Sequence, residues 1–375
     1  MDDEPDADVA IVAAQLGRFL TLGGRLEEAL PAVERALEIA EALRLPDVLS
    51  SGLNTKALIL ERRGRHEEAQ VLLRHALAIA LREDLHEAAL RAYNNLLIYA
   101  GQRDDLAEGA QLLEESIAFA RRIGHRYWEL SRLAVRASML WGEGDWEGAE
   151  RELNAVAAED PEHAATYKYF PLYYLAPRGE CDAARAALAA ANMDMSNPES
   201  RTFAAMAEAY ICLYEDRPRE ALAAGELALS ECAELGALHD GAKQGLAYML
   251  EAAARLGDPA KMDELLGLLE KRPPGEMSPQ LQAIGARYSA RRGALRGEQN
   301  VADGFIAAAE IYGESGFPLL RAETLIEHGE WLVSTGRADE AEPLLAEAEE
   351  LFERLRARYW LDRIARCREG VPAFA

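Results

Sequence analysis

The sequence predicts an all-α fold, a stack of about nine helical hairpins closed by a C-terminal helix. Three observations predict it. A short turn pattern recurs at nearly constant spacing, and small side chains recur at fixed offsets from each turn. Ala, Leu, Glu and Arg dominate the composition, and no segment alternates at the two-residue period of a strand.

The turns are the clearest element. Gly24-Arg25-Leu26-Glu27-Glu28-Ala29 aligns with Gly64-Arg65-His66-Glu67-Glu68-Ala69. Gly144-Asp145-Trp146-Glu147-Gly148-Ala149 and Gly336-Arg337-Ala338-Asp339-Glu340-Ala341 continue the pattern. Weaker copies sit at Asp104, Gly179, Asp216, Gly257 and Gly297, so successive turns lie 40, 40, 40, 35, 37, 41, 40 and 39 residues apart.

The helices follow from the turns. Five residues after each turn come Ala29, Ala69, Gly109, Ala149, Ala184, Ala221, Met262, Ala302 and Ala341. Twelve after come Ala36, Ala76, Ser116, Ala191, Ala228, Ala309 and Ala348, with Val156 and Leu269 as exceptions. Seven before come Gly17, Ala57, Ala137, Ala209, Ala290 and Gly329, with Leu97, Leu172 and Leu250 breaking the rule. Two antiparallel helices cross closely only where one presents little more than a Cβ. Between these positions run larger apolar residues at helical spacing, such as Leu72, Leu73, Leu77 and Ile79.

Residues 1–9 read as a disordered acidic tail, 10–356 as tandem repeats, and 357–375 as a capping helix and tail. The tail carries Asp2, Asp3, Glu4, Asp6 and Asp8; the cap carries Tyr359, Trp360, Leu361 and Ile364. Pro171 should bend or interrupt its helix, where the spacing also shortens to 35.

Charge narrows the function classes. The formal net charge is −24, from 65 acids against 41 bases, which repels a phosphate backbone and argues against nucleic-acid partners. Nearly all the positive charge is Arg, the composition of a high-GC bacterial source. Cys181, Cys212, Cys232 and Cys367 share no metal or redox spacing and read as reduced thiols. There is no basic-then-apolar leader and no apolar run of about 18 residues, so the expectation is a soluble cytoplasmic chain without membrane partners.

Small residues at these offsets, with Gly at the turn, resemble the tetratricopeptide repeat (TPR), whose usual period is about 34 residues. A narrower resemblance rests on four segments. They are Leu53-Asn54-Thr55-Lys56-Ala57-Leu58, Arg91-Ala92-Tyr93-Asn94-Asn95-Leu96, Leu325-Ile326-Glu327-His328-Gly329-Glu330-Trp331-Leu332 and Phe352-Glu353-Arg354-Leu355. These are similar to the C-terminal TPR region of bacterial adenylate-cyclase-type or LuxR-type signalling ATPases. The resemblance implies a right-handed TPR-like α-solenoid whose first helices line a concave groove.

With the turn as fifteenth position, the resemblance implies that the second, fifth, ninth and twelfth positions face that groove. The early repeats then contribute Arg18, Asn54, Glu61, Arg91 and Asn94. Asn54 and Asn94 stand one repeat apart, and either meet a peptide backbone or bond to a neighbouring helix. The middle repeats contribute Trp141, Tyr169, Tyr173, Met206 and Tyr210, which are either core or an aromatic pocket. Arg287 and Arg291, one turn apart, either take an acidic partner or stay solvated.

No catalytic motif is intact. In Gly236-Ala237-Leu238-His239-Asp240-Gly241-Ala242-Lys243, Ala242 follows the second Gly where a phosphate loop needs Lys, and Gln244 replaces the hydroxyl. His66-Glu67 and His86-Glu87 begin like a zinc-protease helix, but Gln70 and Leu90 stand where the second His belongs, so both histidines read as exposed turn residues. No cofactor or metal is expected. The expected function is a non-enzymatic scaffold binding a protein or peptide segment in the groove, in bacterial signalling or transcriptional regulation. The alternative is the ligand-sensing arm of a multidomain cyclase or LuxR-type ATPase, closing on a small-molecule effector.

Overall fold

The computed structural model describes residues 6–164, 167–191, 193–232 and 240–370, and these are helical with short connections and no strand. They fall into two compact units, one ending at Glu129 and one beginning at Leu130.

The first unit contains α1 (Ala7–Leu22), α2 (Leu26–Leu43), α3 (Pro46–Arg62), α4 (His66–Arg82), α5 (His86–Gln102) and α6 (Leu106–Ile123), with the start of α7 (Arg126–Gly142). Each helix packs on the next, and the first helices α1, α3 and α5 also pack on one another. Helix α1 starts inside the stretch expected to be a tail, because the Asp6 carboxylate accepts the Asp8 backbone N–H at 2.7 Å. The rest of that tail, residues 1–5, lies outside the described residues.

The second unit continues α7 with α8 (Trp146–Glu159), α9 (Pro161–Ala164), α10 (Leu172–Leu175), α11 (Cys181–Ala190), α12 (Pro198–Tyr214) and α13 (Pro218–Glu231). Then come α14 (Asp240–Arg255), α15 (Pro259–Glu270), α16 (Pro279–Arg296), α17 (Val301–Glu314), α18 (Pro318–Ser334), α19 (Ala338–Leu355) and α20 (Arg358–Arg368). Here the first helices α12, α14, α16 and α18 pack in series, and α20 joins that series against α18.

All nine turn positions read from the sequence have left-handed backbone, with φ from 57° at Asp216 to 86° at Gly179. In each, the next N–H reaches back five residues to a helix carbonyl, as from Arg25 to Leu20 (2.8 Å) and Arg337 to Leu332 (2.8 Å). That bond satisfies a carbonyl the helix end leaves open, and it needs φ > 0 at the turn residue. Glycine meets that need without a Cβ penalty, which is why the turns were legible.

The small residues sit at the helix crossings. Ala29, Ala69, Ala149, Ala184, Ala221 and Ala341 are fully buried, as are Ala36, Ala76, Ala228 and Ala348. A Cβ on Gly17 would stand 2.4 Å from Val33 Cγ2, and one on Gly329 would stand 2.8 Å from Leu345 Cδ2. Ala302 departs from the rule and is only half-buried. Helix α17 begins four residues after Gly297, whereas the other eight turns reach their helix in two. The extra two residues hand the crossing to Gly304, whose Cβ would lie 2.9 Å from Ala290 Cβ.

Pro171 interrupts its hairpin as expected, leaving α10 one turn long. Pro177 lacks the N–H that would meet the Tyr173 carbonyl four residues back. Trp141 Nε1 (3.2 Å) and the Tyr210 hydroxyl (3.0 Å) donate to that carbonyl instead.

The last helix does more than cap the final repeat. Trp360, Ile364 and Cys367 share one buried cluster with residues of α18 and α19 and with Trp146 and Tyr174 near the start of the unit. The Tyr359 N–H donates to the Pro177 carbonyl at 3.0 Å, and Trp360 Nε1 donates to the Tyr214 hydroxyl at 3.2 Å. Arg356 pairs with Glu147 at 2.5 Å. The end of the second unit is thereby tied back to its beginning.

Candidate functional site

The first-helix face differs between the two units. In the second unit it is filled from within. Trp141, Tyr173, Tyr210 and Tyr248 follow one another from helix to helix, with ring centroids 5.3, 5.1 and 5.6 Å apart. Tyr210 also meets Tyr214 at 4.8 Å, and Tyr214 meets Tyr359 of α20 at 4.8 Å. Tyr173 and Tyr210 are 7% and 8% exposed and Met206 is buried, while Trp141 and Tyr169 are half-buried. Burial holds the Tyr173 and Tyr210 hydroxyls well above their ordinary pKa and pushes Tyr169 up to about 12. Of the two readings left open for this stripe, the structure places its central members in the core.

Arg287 and Arg291 were expected at a solvated or partner-binding surface. They are 3% and 4% exposed, so that expectation is corrected. The acidic groups they meet belong to this chain. Arg287 holds Glu327 through two bonds of 2.7 and 2.8 Å and reaches Glu323 at 3.1 Å. Arg291 bonds Glu327 at 2.8 Å and also pairs with Glu251, which takes Arg255 Nε at 2.6 Å. Arg363 of α20 holds Glu330 at 2.6 and 2.8 Å. Four arginines thus face four glutamates on first helices and α20. Burial drives Glu251 and Glu327 toward protonation, but the surrounding guanidinium groups outweigh it and hold both below the ordinary carboxylate range. Burial wins at Glu323, whose carboxyl is raised.

In the first unit the face stays partly open. Arg18 is exposed, Arg91 and Asn94 are half-buried, and Asn54 is buried. Asn54 takes the inward of its two readings: its Oδ1 accepts from Asn95 Nδ2 of α5 at 3.1 Å. Arg91 Nη2 donates to Ser51 Oγ at 2.8 Å. Burial lowers the Arg91 pKa, and Arg18 lowers it further, while Asp47 and Glu87 oppose. Glu61 is half-buried, and burial pushes its carboxyl up to about 7 against the pull of Arg62. Beside these polar groups Ile98 is 51% exposed and Leu58 half-buried.

Other sequence candidates fall as follows. His66 is buried rather than exposed, its ring 6.5 Å from Tyr99, while His86 is exposed. Residues 236–239 of the phosphate-loop-like segment lie outside the described residues, and Gly241, Ala242 and Lys243 are within α14. Among the described residues no cluster of His, Cys, Asp or Glu could hold a metal, and no helix is long and apolar enough to cross a membrane.

No family model and no curated protein matches this chain. Solved structures similar to it include the apo quorum sensor NprR from B. thuringiensis, 10% identical over 92% of this chain and 87% of that one, with a TM-score of 0.38. Yeast Tom70 is 13% identical over 96% and 88%, with a TM-score of 0.40. The TPR domain of P58(IPK) is 14% identical over 96% and 98%, with a TM-score of 0.28. The all-helical TPR-type repeat stands on this chain's own turns and helix crossings.

Sequence reasoning missed Glu251, Glu327, Glu330 and Arg363. A signal was present: Glu251 and Arg291 are 40 residues apart, and so are Arg287 and Glu327. Opposite charges at one repeat's separation occupy matching places on adjacent first helices, where they meet.

Proposed function

We propose that this chain is a non-enzymatic helical-repeat scaffold, and that a protein or peptide partner lies along the first-helix face of the unit ending at Glu129. The observation that carries the reading is the contrast between the two faces. The second unit's face is covered by α20 and its charges are spent on one another. The first unit's face keeps Arg18, Asn94, Leu58 and Ile98 partly accessible. It offers amide, cationic and apolar groups in rows, a mixture suited to an extended segment. A place in bacterial signalling or transcriptional regulation is part of this proposal, supported by the four segments similar to signalling ATPases.

The test compares partner capture by the full chain with that of two variants. An Arg18→Glu/Ile98→Asp double variant alters the proposed face. Val71→Asp alters an exposed position (65%) on the second helix α4. The double variant should lose partners at least tenfold while Val71→Asp retains them. Equal capture by all three proteins sinks the assignment.

A further inference from the structure

Helix α1 presents an apolar face that its own unit leaves uncovered. Val9, Ile11, Val12, Leu16, Phe19 and Leu22 are between 44% and 72% exposed. Ala10 and Ala14, on the other side of the helix, are buried with Ala36, Ala40 and Val48. Isolated exposed apolar residues need no explanation, but six on one helix of a soluble-type repeat do.

Within that face Val9, Val12, Leu16 and Phe19 are spaced by three, four and three residues, the spacing of a two-helix seam. We propose that α1 is a self-association surface, through which two copies of the chain pair antiparallel about a two-fold axis at residue 14. The spacing is symmetric about that point. Val9 of one copy then faces Phe19 of the other, and Val12 faces Leu16. Every layer sets a smaller side chain against a larger one, so the seam fills evenly. A parallel pair would stack Phe19 on Phe19 and Val9 on Val9.

Charge selects the same arrangement. Asp6 and Asp8 lie at the start of α1, whereas Arg18 lies toward its end, where Arg62 also reaches the Thr21 carbonyl at 2.8 Å. Antiparallel pairing brings each acidic end toward a basic one, whereas parallel pairing sets like against like. The contact is self-complementary, as a two-fold interface must be. An apolar patch of this kind covers on the order of several hundred Å². Doubled across the axis, it lies near the lower edge, about 1,000–1,200 Å², of specific interfaces. Because each copy carries −24, moderate salt strengthens the dimer by screening the repulsion between copies.

The experiment is sedimentation of the full chain over a concentration series, at low and moderate salt. The wild type should pass from one to two copies, more readily with salt. Val12→Glu and Leu16→Lys should each remain monomeric, with helical circular dichroism and melting temperature matching the wild type at concentrations where it too is a single copy, both positions being solvent-exposed there. Mixing the two variants should restore dimers, since the new charges then face each other. As a check that needs no charged substitution, a Val12→Cys variant mixed with a Leu16→Cys variant should cross-link on oxidation, since these two positions face each other across the seam. A wild type monomeric throughout overturns the proposal, as does a dimer untouched by Val12→Glu. Failure of the mixture or of the cross-link overturns the antiparallel register, and α1 binding only a helix of another protein overturns self-pairing.

Discussion

Arg287 and Glu327 stand one repeat apart, 40 residues, and meet in a two-pronged ion pair with both side chains buried. The pair links α16 to α18 and sits in a cluster that reaches α14 through Glu251 and approaches Arg363 of α20 (3.9 Å from Glu327).

Removing one partner leaves a buried charge without its counterpart. Glu327→Gln should lower unfolding free energy by about 3–5 kcal/mol in chemical denaturation. It should also flatten the acid limb of stability. Glu251 and Glu327 are held below the ordinary carboxylate pKa, so their contribution is present above about pH 4.3 and lost as pH falls below it. An acid limb as steep in Glu327→Gln as in the wild type would show that this carboxylate is not what acid titrates.

Glu61 should behave in the opposite sense. Its folded pKa is about 7, above the unfolded value near 4.3, so the folded state holds the proton more tightly. Stability contributed by this group is full at low pH and declines as pH rises through that window. Glu61→Gln should be close to neutral at pH 5 and stabilising at pH 8. Urea titrations at both values check it, and an effect of equal size at the two would refute the shift.

Gly17→Ala should destabilise by about 1–3 kcal/mol, because the new methyl meets Val33 Cγ2 at 2.4 Å and the Val33 backbone nitrogen at 3.3 Å. Gly267, in α15, has nothing within 4 Å of its added Cβ. Gly267→Ala should stabilise by about 0.5–1 kcal/mol through helix propensity alone. Thermal melts of the two variants should move in opposite directions.

Trp360→Ala and Tyr210→Ala should each cost about 3–5 kcal/mol, as expected for large buried rings. Their effects should not add, since Tyr214 touches both. A Tyr210→Ala protein with an unchanged melting temperature would return that residue to the list of ligand contacts.

Much of the repeat was legible because each turn rests on a local demand. A left-handed residue at Gly24 or Gly336 and a missing side chain at Gly17 or Ala29 are written in adjacent sequence. The failure at Ala302 is also local: two extra residues after Gly297 shifted the crossing to Gly304. The candidate site was much less legible. Whether Tyr210 or Arg287 meets solvent depends on α20 returning to Tyr214, 146 positions upstream of Trp360, and no repeat period encodes that. In the first unit, where no such return occurs, Arg18, Arg91 and Asn94 keep some of the accessibility their positions implied.

The return of α20 also changes how the second unit should come apart. A linear array, in which each hairpin touches only its neighbours, frays from its ends. Here the terminal helix is bonded to the Pro177 carbonyl and the Tyr214 hydroxyl, so there is no loose final hairpin to peel away. Deleting the residues after Leu355 would strip Tyr214 of its contacts with Tyr359 and Trp360 and leave the Pro177 carbonyl without its donor. One truncation would thus loosen hairpins far apart in the chain, and melting would change from a single concerted step to a graded one.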